Sequence, residues 1–314
     1  MTMNMKKDIL LLTALAGVMA WTGCQIVEEE IVQQQPEEQV EQDAAQDAVP
    51  TWTLTVLAER GIGTKGLEVD GDQATATLLK SVWKAEEPVE VYLGSTHIGT
   101  LTATPDGLDA HKATLSGTVT TGGITPGSTT LTLLTPRENW DYTGQVGTLL
   151  ESAGSIEKKY HYTMATDVLV TGVSGSEITT ENAILSNQQS IYRLCFRYSV
   201  GPVAISAKSV TISGASGQLV QSQVLGGATT EGDISVTLGT ATSDPFFVAL
   251  RNGDQTNDEE FTFTVVDDDG VTYRGTKTIP AAYKPNGTFV SAKNTTLTQR
   301  LDLALSPSEV ITVL

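Results

Sequence analysis

Trp52-Thr-Leu-Thr-Val-Leu-Ala58 decides the fold class. Trp52, Leu54 and Val56 fall on one side of a two-residue period and threonines on the other, the pattern of a half-buried strand. Similar strand-like runs cover 74–79, 89–93, 97–103, 113–119, 129–134, 160–164, 167–173, 190–198, 209–213, 234–238, 245–250, 260–266, 271–278, 288–297 and 310–314. Turn signals such as Pro105-Asp-Gly107, Gly122-Gly123 and Pro126-Gly127 separate them. No stretch of 12 or more residues holds a helical 3.6 period. Short strands with regular punctuation predict an all-β protein built from sandwiches. A boundary is expected between the aromatic strand Tyr160-His-Tyr162 and the loop Ser174–Asn187. That gives an N-terminal domain over 51–168 and a C-terminal domain over 169–314.

The residues before Trp52 have another texture. Lys6 and Lys7 precede an apolar run from Ile9 to Ala20, 12 residues long. A membrane-spanning helix needs about 20 apolar residues, so the run reads as a signal-peptide core. Trp21-Thr-Gly-Cys24 follows it. A basic start, a short apolar core and small residues before a Cys resemble a bacterial lipoprotein signal, with residues 1–23 removed and Cys24 acylated. Trp21 departs from that pattern, which usually has an aliphatic residue there. An ordinary secretory signal with an incidental Cys is the other reading. Residues 24–50 carry eight acidic side chains and no Lys or Arg. Self-repulsion and low hydrophobicity make them a flexible tether. The cluster Glu28–Glu30 resembles the export signal of surface lipoproteins in Bacteroidetes; a plain solvated linker would look the same.

Charge and composition exclude several classes. The 314 residues hold 19 basic and 37 acidic side chains, a formal charge of −18. Binding nucleic acid through phosphates needs clustered cations, so no nucleic-acid partner is expected. Two cysteines cannot build a disulfide framework. Cys195, in a strand-like run, reads as a buried small hydrophobe. The histidines at 97, 111 and 161 lack metal-ligand spacing. Asp267-Asp-Asp-Gly270 lacks the alternating ligands of an EF-hand loop and reads as a hairpin tip. No nucleophile elbow, P-loop or dinucleotide fingerprint occurs. The expectation is therefore no enzyme, no catalytic residue, no metal and no cofactor.

Several stretches carry a family resemblance. Ser190-Ile-Tyr-Arg-Leu-Cys-Phe-Arg-Tyr198 looks like the strand opening the second domain of the Bacteroidales fimbrillins, the Mfa-like and FimA-like subunits of type V pili. Val210-Thr-Ile-Ser-Gly-Ala-Ser-Gly217 resembles a segment of that domain. Phe261-Thr-Phe-Thr-Val-Val-Asp-Asp-Asp-Gly-Val-Thr-Tyr273, with Gly275-Thr-Lys277, resembles its late hairpin. Asn286-Gly-Thr-Phe289 resembles the strand after it. The resemblance spans most of the chain beyond Trp52, and its motifs are hairpin patterns.

The resemblance implies two transthyretin-like (Greek-key) β-sandwich domains in tandem. It implies an outer-membrane lipoprotein exposed at the cell surface and, after processing, a fimbrium that contributes to adhesion. A trypsin-like or Arg-specific protease would remove the anchor with the first strand, here Trp52, Leu54 and Val56. The candidate bond is Arg60–Gly61, with Lys65–Gly66 as runner-up; an ordinary loop with two surface cations is the alternative. The groove left behind would accept an extended strand from another pilus subunit, the same chain or a different one. The candidate donor strand lies in 308–314, at Val310, Ile311, Thr312, Val313 and Leu314; an edge strand on its own domain would have the same pattern. A competing reading is a surface lipoprotein that binds host glycan or protein without polymerising. Trp83, Trp140 and Tyr142 would then stack on sugars, and Pro136–Tyr142 would be the binding loop; a capped core tryptophan in a connecting loop is the other reading of that stretch.

Overall fold

A computed structural model of the protein describes residues 50–60, 67–69, 72, 79–120, 122–136, 138–198, 203–215, 219–284, 286, 289–290 and 303–307. All of them belong to one compact unit running from Ala48 to Leu314. Cys24, Gly61, Lys65, Gly66 and the segment 308–314 lie outside the described residues. The chain is all-β, with sheets of sandwich and barrel character.

The strands before Asn187 are β1 (Thr51–Arg60), β2 (Leu67–Val69), β3 (Leu79–Ser81), β4 (Pro88–Leu93), β5 (Thr96–Pro105), β6 (Lys112–Thr120), β7 (Thr130–Thr135), β8 (Asn139–Asp141), β9 (Thr163–Ser174), β10 (Glu177–Thr180) and β11 (Ala183–Asn187). After it come β12 (Ser190–Leu194), β13 (Phe196–Tyr198), β14 (Ala207–Ser213), β15 (Leu219–Val224), β16 (Thr229–Glu231), β17 (Ile234–Thr242), β18 (Phe246–Asn252), β19 (Glu259–Asp267), β20 (Thr272–Ile279), β21 (Phe289–Val290) and β22 (Leu303–Pro307). The helical exceptions are a π turn at Ile156–Tyr160 and a 3-10 turn at Ala281–Tyr283.

The largest sheet closes on itself. Its order runs β1-β11-β9-β7-β4-β5-β6, and β6 pairs back to β1. β10 lies between β1 and β9 beside β11. Closure removes the unpaired edges that an open sheet would expose. Inward positions fill the barrel: Leu54, Val56, Leu101, Leu115, Leu133, Val170 and Leu185 are completely buried in one cluster. Gly99 and Gly117 allow β5 and β6 to approach closely. A Cβ on Gly117 would lie 2.5 Å from the Thr100 carbonyl oxygen, and one on Gly99 would lie 2.5 Å from that of Thr118.

Besides the β2–β3 pair, the remaining strands form two further sheets. One has the order β16-β15-β18-β12-β21, with β8 on β15; the other runs β13-β22-β20-β19-β14-β17. The chain changes sheet at Cys195, between β12 and β13. Tyr142, Tyr160, Tyr192, Phe261 and Phe263 are among the residues of a second hydrophobic cluster. Leu67 and Leu79, from β2 and β3, pack there rather than in the barrel.

Two local expectations need correction. The stretch 174–187, expected as a loop, carries β10 and β11. Each is too short to display an alternation that stands out, and pairing with β1 and β9 supplies their order. Tyr160, expected on a strand, ends the π turn, and β9 starts only at Thr163.

Candidate functional site

The site is built around β1. Its burial alternates without interruption: Leu54, Val56, Ala58 and Arg60 point inward, while Thr53, Thr55, Leu57 and Glu59 point out. Trp52 is half-buried and packs on the same cluster. A period of two places one face on the barrel core and the other in water. β1 pairs antiparallel with β6 from Thr51↔Thr120 to Glu59↔Lys112. On its other side it is parallel to β10 at Thr53–Thr55 and to β11 at Ala58–Arg60. The strand is thus a stave with a ladder on both sides.

The last inward position is charged. The Arg60 side chain is fully buried, and its Nη2 lies 2.6 Å from Glu87 Oε1, itself 5% exposed. The guanidinium carbon sits 3.7 Å from the centre of the Trp83 ring, a cation–π contact. Thr135 Oγ1 donates to Glu87 Oε1 at 3.4 Å. The Lys84 amide donates to Glu87 Oε2 at 3.4 Å, while the Lys84 ammonium is engaged by Glu157. Desolvation pulls the Arg60 pKa down to about 10, against the opposing pull of Glu87. Arg60 therefore stays protonated at neutral pH. Removing one partner of such a pair leaves a buried charge without its counter-charge, the expensive case.

The outer face of the same strand end is open. A groove of about 440 Å³ runs past Leu57, Glu59, Pro105, Lys112 and Asn182. Leu57 is 57% exposed, and Ile184, on the neighbouring β11, is 61% exposed.

The expected site residues divide sharply. Trp52, Leu54 and Val56 share one strand face with Arg60, as the alternation predicts. Arg60 is not a surface cation: its side chain cannot enter a protease pocket while β1 is seated. The competing reading, in which these aromatics stack on sugars, does not match their burial. Trp83, Trp140 and Tyr142 are 3%, 2% and 0% exposed, with Trp83 under Arg60 and Trp140 under Arg251. Trp140 is thus a core tryptophan, the other reading of the stretch 136–142. The carboxylates of Asp267, Asp268 and Asp269 gather within 4.8 Å, but Asp267 serves the β19–β20 hairpin. Its Oδ1 accepts from the amides of Asp269 and Val271, and its Oδ2 from the Tyr273 hydroxyl. Gly270 completes the turn at φ +81. Sequence reading missed Glu87 and Trp83 as partners of Arg60. Neither carries a local signal, because the contact joins residues on different elements.

No family model and no curated protein matches this chain. Among solved structures, a candidate cell adhesion protein of Bacteroides fragilis aligns over 81% of this chain and 100% of its own, at 11% identity and a TM-score of 0.34. The Bacillus anthracis TIE protein aligns over 82% of this chain and 34% of its own, at 11% identity and a TM-score of 0.21. A C-terminal fragment of the pilus adhesin SpaC from Lactobacillus rhamnosus GG aligns over 83% and 99%, at 14% identity and a TM-score of 0.25. At these identities and scores none of them assigns a family or a role.

Proposed function

We propose that the chain is a structural subunit of a cell-surface fimbria, assembled by strand exchange after proteolysis removes the N-terminal anchor together with β1. The observation that carries this reading is the position of β1. It is a complete stave of a closed barrel, and it is the first strand among the described residues. Taking it out would expose β6 on one side, β10 and β11 on the other, and a slot once filled by Leu54, Val56 and Ala58. An extended strand from another subunit would restore both ladders and refill the slot. Such a contact is head-to-tail and does not close, so it propagates as a filament.

In this reading Cys24 carries the lipid that holds the precursor at the outer membrane, and residues 24–50 are the leash. Scission at Lys65–Gly66 precedes scission at Arg60–Gly61, because the Arg60 side chain must first leave Glu87 and Trp83. Residues 310–314 are the donor strand offered to a further subunit, and the assembled fimbria contributes to adhesion. The non-polymerising glycan receptor is not favoured, since Trp83, Trp140 and Tyr142 are buried.

The test is limited trypsin digestion of the full chain under native conditions, followed by native mass spectrometry. The expected result is a new N-terminus at Gly66 or Gly61, loss of the β1 fragment, and capture of an added Thr51–Arg60 peptide. A digested body that takes up no strand peptide overturns the reading.

A further inference from the structure

The inside of the β1 slot is not uniformly apolar. Leu54, Val56 and Ala58 occupy its apolar positions, and at its end Arg60 meets the Glu87 carboxylate and the Trp83 ring. Scission at either Arg60–Gly61 or Lys65–Gly66 takes Arg60 away with the strand. Glu87 and Trp83 stay, because they belong to the segment between β3 and β4. Glu87 is fixed there by its backbone: its carbonyl accepts from the Ala103 amide at 2.9 Å, and its own amide donates to the Lys84 carbonyl at 3.3 Å. The nearby Lys84 ammonium is already held by Glu157.

A strand that refills the slot with neutral side chains would close the barrel over Glu87 without the cation that Arg60 supplies. Burying a carboxylate away from its counter-charge is strongly unfavourable, whereas a seated guanidinium gains both the ion pair and the ring face. Residues 301–314, Leu-Asp-Leu-Ala-Leu-Ser-Pro-Ser-Glu-Val-Ile-Thr-Val-Leu, contain no Lys or Arg and include Asp302 and Glu309. That segment cannot satisfy Glu87 in any register or orientation.

We propose that Glu87 and Trp83 form a cation-reading pocket at the end of the β1 slot, selecting an incoming strand that places a cation there. That strand carries apolar residues at the Leu54 and Val56 positions, a small residue at Ala58, and Arg or Lys at the Arg60 position. The proposal rests on the reading of β1 as a removable strand.

Two measurements test it. The first needs no scission and uses the full chain in denaturant unfolding. Arg60→Gln should lower the unfolding midpoint, Arg60→Lys should lower it less, and Arg60→Gln combined with Glu87→Gln should recover part of the loss. A double variant no more stable than Arg60→Gln overturns the pocket. The second uses the trypsin-treated full chain and three peptides: Thr51–Arg60, the same peptide with Arg60→Gln, and residues 301–314. The Arg peptide should bind at least about ten-fold tighter than the other two, an advantage that shrinks to within about three-fold on the Glu87→Gln protein. Equal binding of the three, or tighter binding of 301–314, overturns the proposal. A digested chain that keeps β1 overturns strand removal itself, and the unfolding measurement then decides the pocket alone.

Discussion

β1 enters the barrel between an antiparallel neighbour, β6, and the parallel strands β10 and β11. β22 enters its sheet between antiparallel β20 and parallel β13. Both are therefore inserted strands, each flanked by one ladder of either sense. The two differ in how far the pairing runs. β1 registers with β6 without a break from Thr51 to Glu59 and ends in a buried ion pair. Among the described residues β22 registers with β20 at Ser306 and Pro307, and with β13 from Leu303 to Leu305. Pro307 lacks an amide hydrogen, so it cannot donate to the ladder. Over the described residues, the longer register and the terminal ion pair should make β1 the more slowly opening of the two strands.

The largest expected effect falls on the lock. Arg60→Gln leaves Glu87 buried without its guanidinium and should destabilise the full chain by about 3–5 kcal/mol, read as a shift in the denaturant midpoint with an unchanged slope. An effect below about 1 kcal/mol would remove the lock from the comparison. Next comes the apolar part of the same face. Leu54 is completely buried, and Leu54→Ala should cost about 2–5 kcal/mol in the same measurement. Gly117 lies opposite Leu54 on β6, and its missing Cβ makes room for the Thr100 carbonyl. Gly117→Ala should cost about 1–3 kcal/mol by forcing β5 and β6 apart. Hydrogen exchange sharpens the contrast directly: amides of Leu54–Ala58 should exchange more slowly than those of Leu303–Ser306. Equal protection would show that register length does not set the difference. The smallest effect belongs to the outer face of β1. Leu57 is exposed, and Leu57→Thr should change stability by no more than about 0.5 kcal/mol.

Much of the fold was legible because strands advertise themselves by period. Trp52–Ala58, 113–119, 234–238 and 260–266 alternate clearly, and each lies within an observed strand. The misses share a physical cause. β10 has four residues and β11 has five, too few for a period to emerge, and their order comes from β1 and β9 on either side. The π turn at Ile156–Tyr160 carries aromatic and charged residues that read equally well as strand or loop; Ser155 caps it, its hydroxyl accepting from the Lys158 amide. The candidate site was half legible. The inward face of β1 is written in its alternation, but the state of Arg60 is not.

By itself the sequence determined that this is an all-β chain, with an acidic, cation-free stretch at 24–50 ahead of a first strand whose inward residues recur every second position. Those properties are local: charge repulsion acts between neighbours, and the pleat imposes its period along one strand. Only the tertiary structure decided that β1 closes a barrel and that Arg60 faces Glu87 and Trp83 rather than water. It also decided that Trp140 and Tyr142 are core residues. Closure, burial and ion pairing depend on which distant segments meet, and no local pattern in a single chain encodes those meetings.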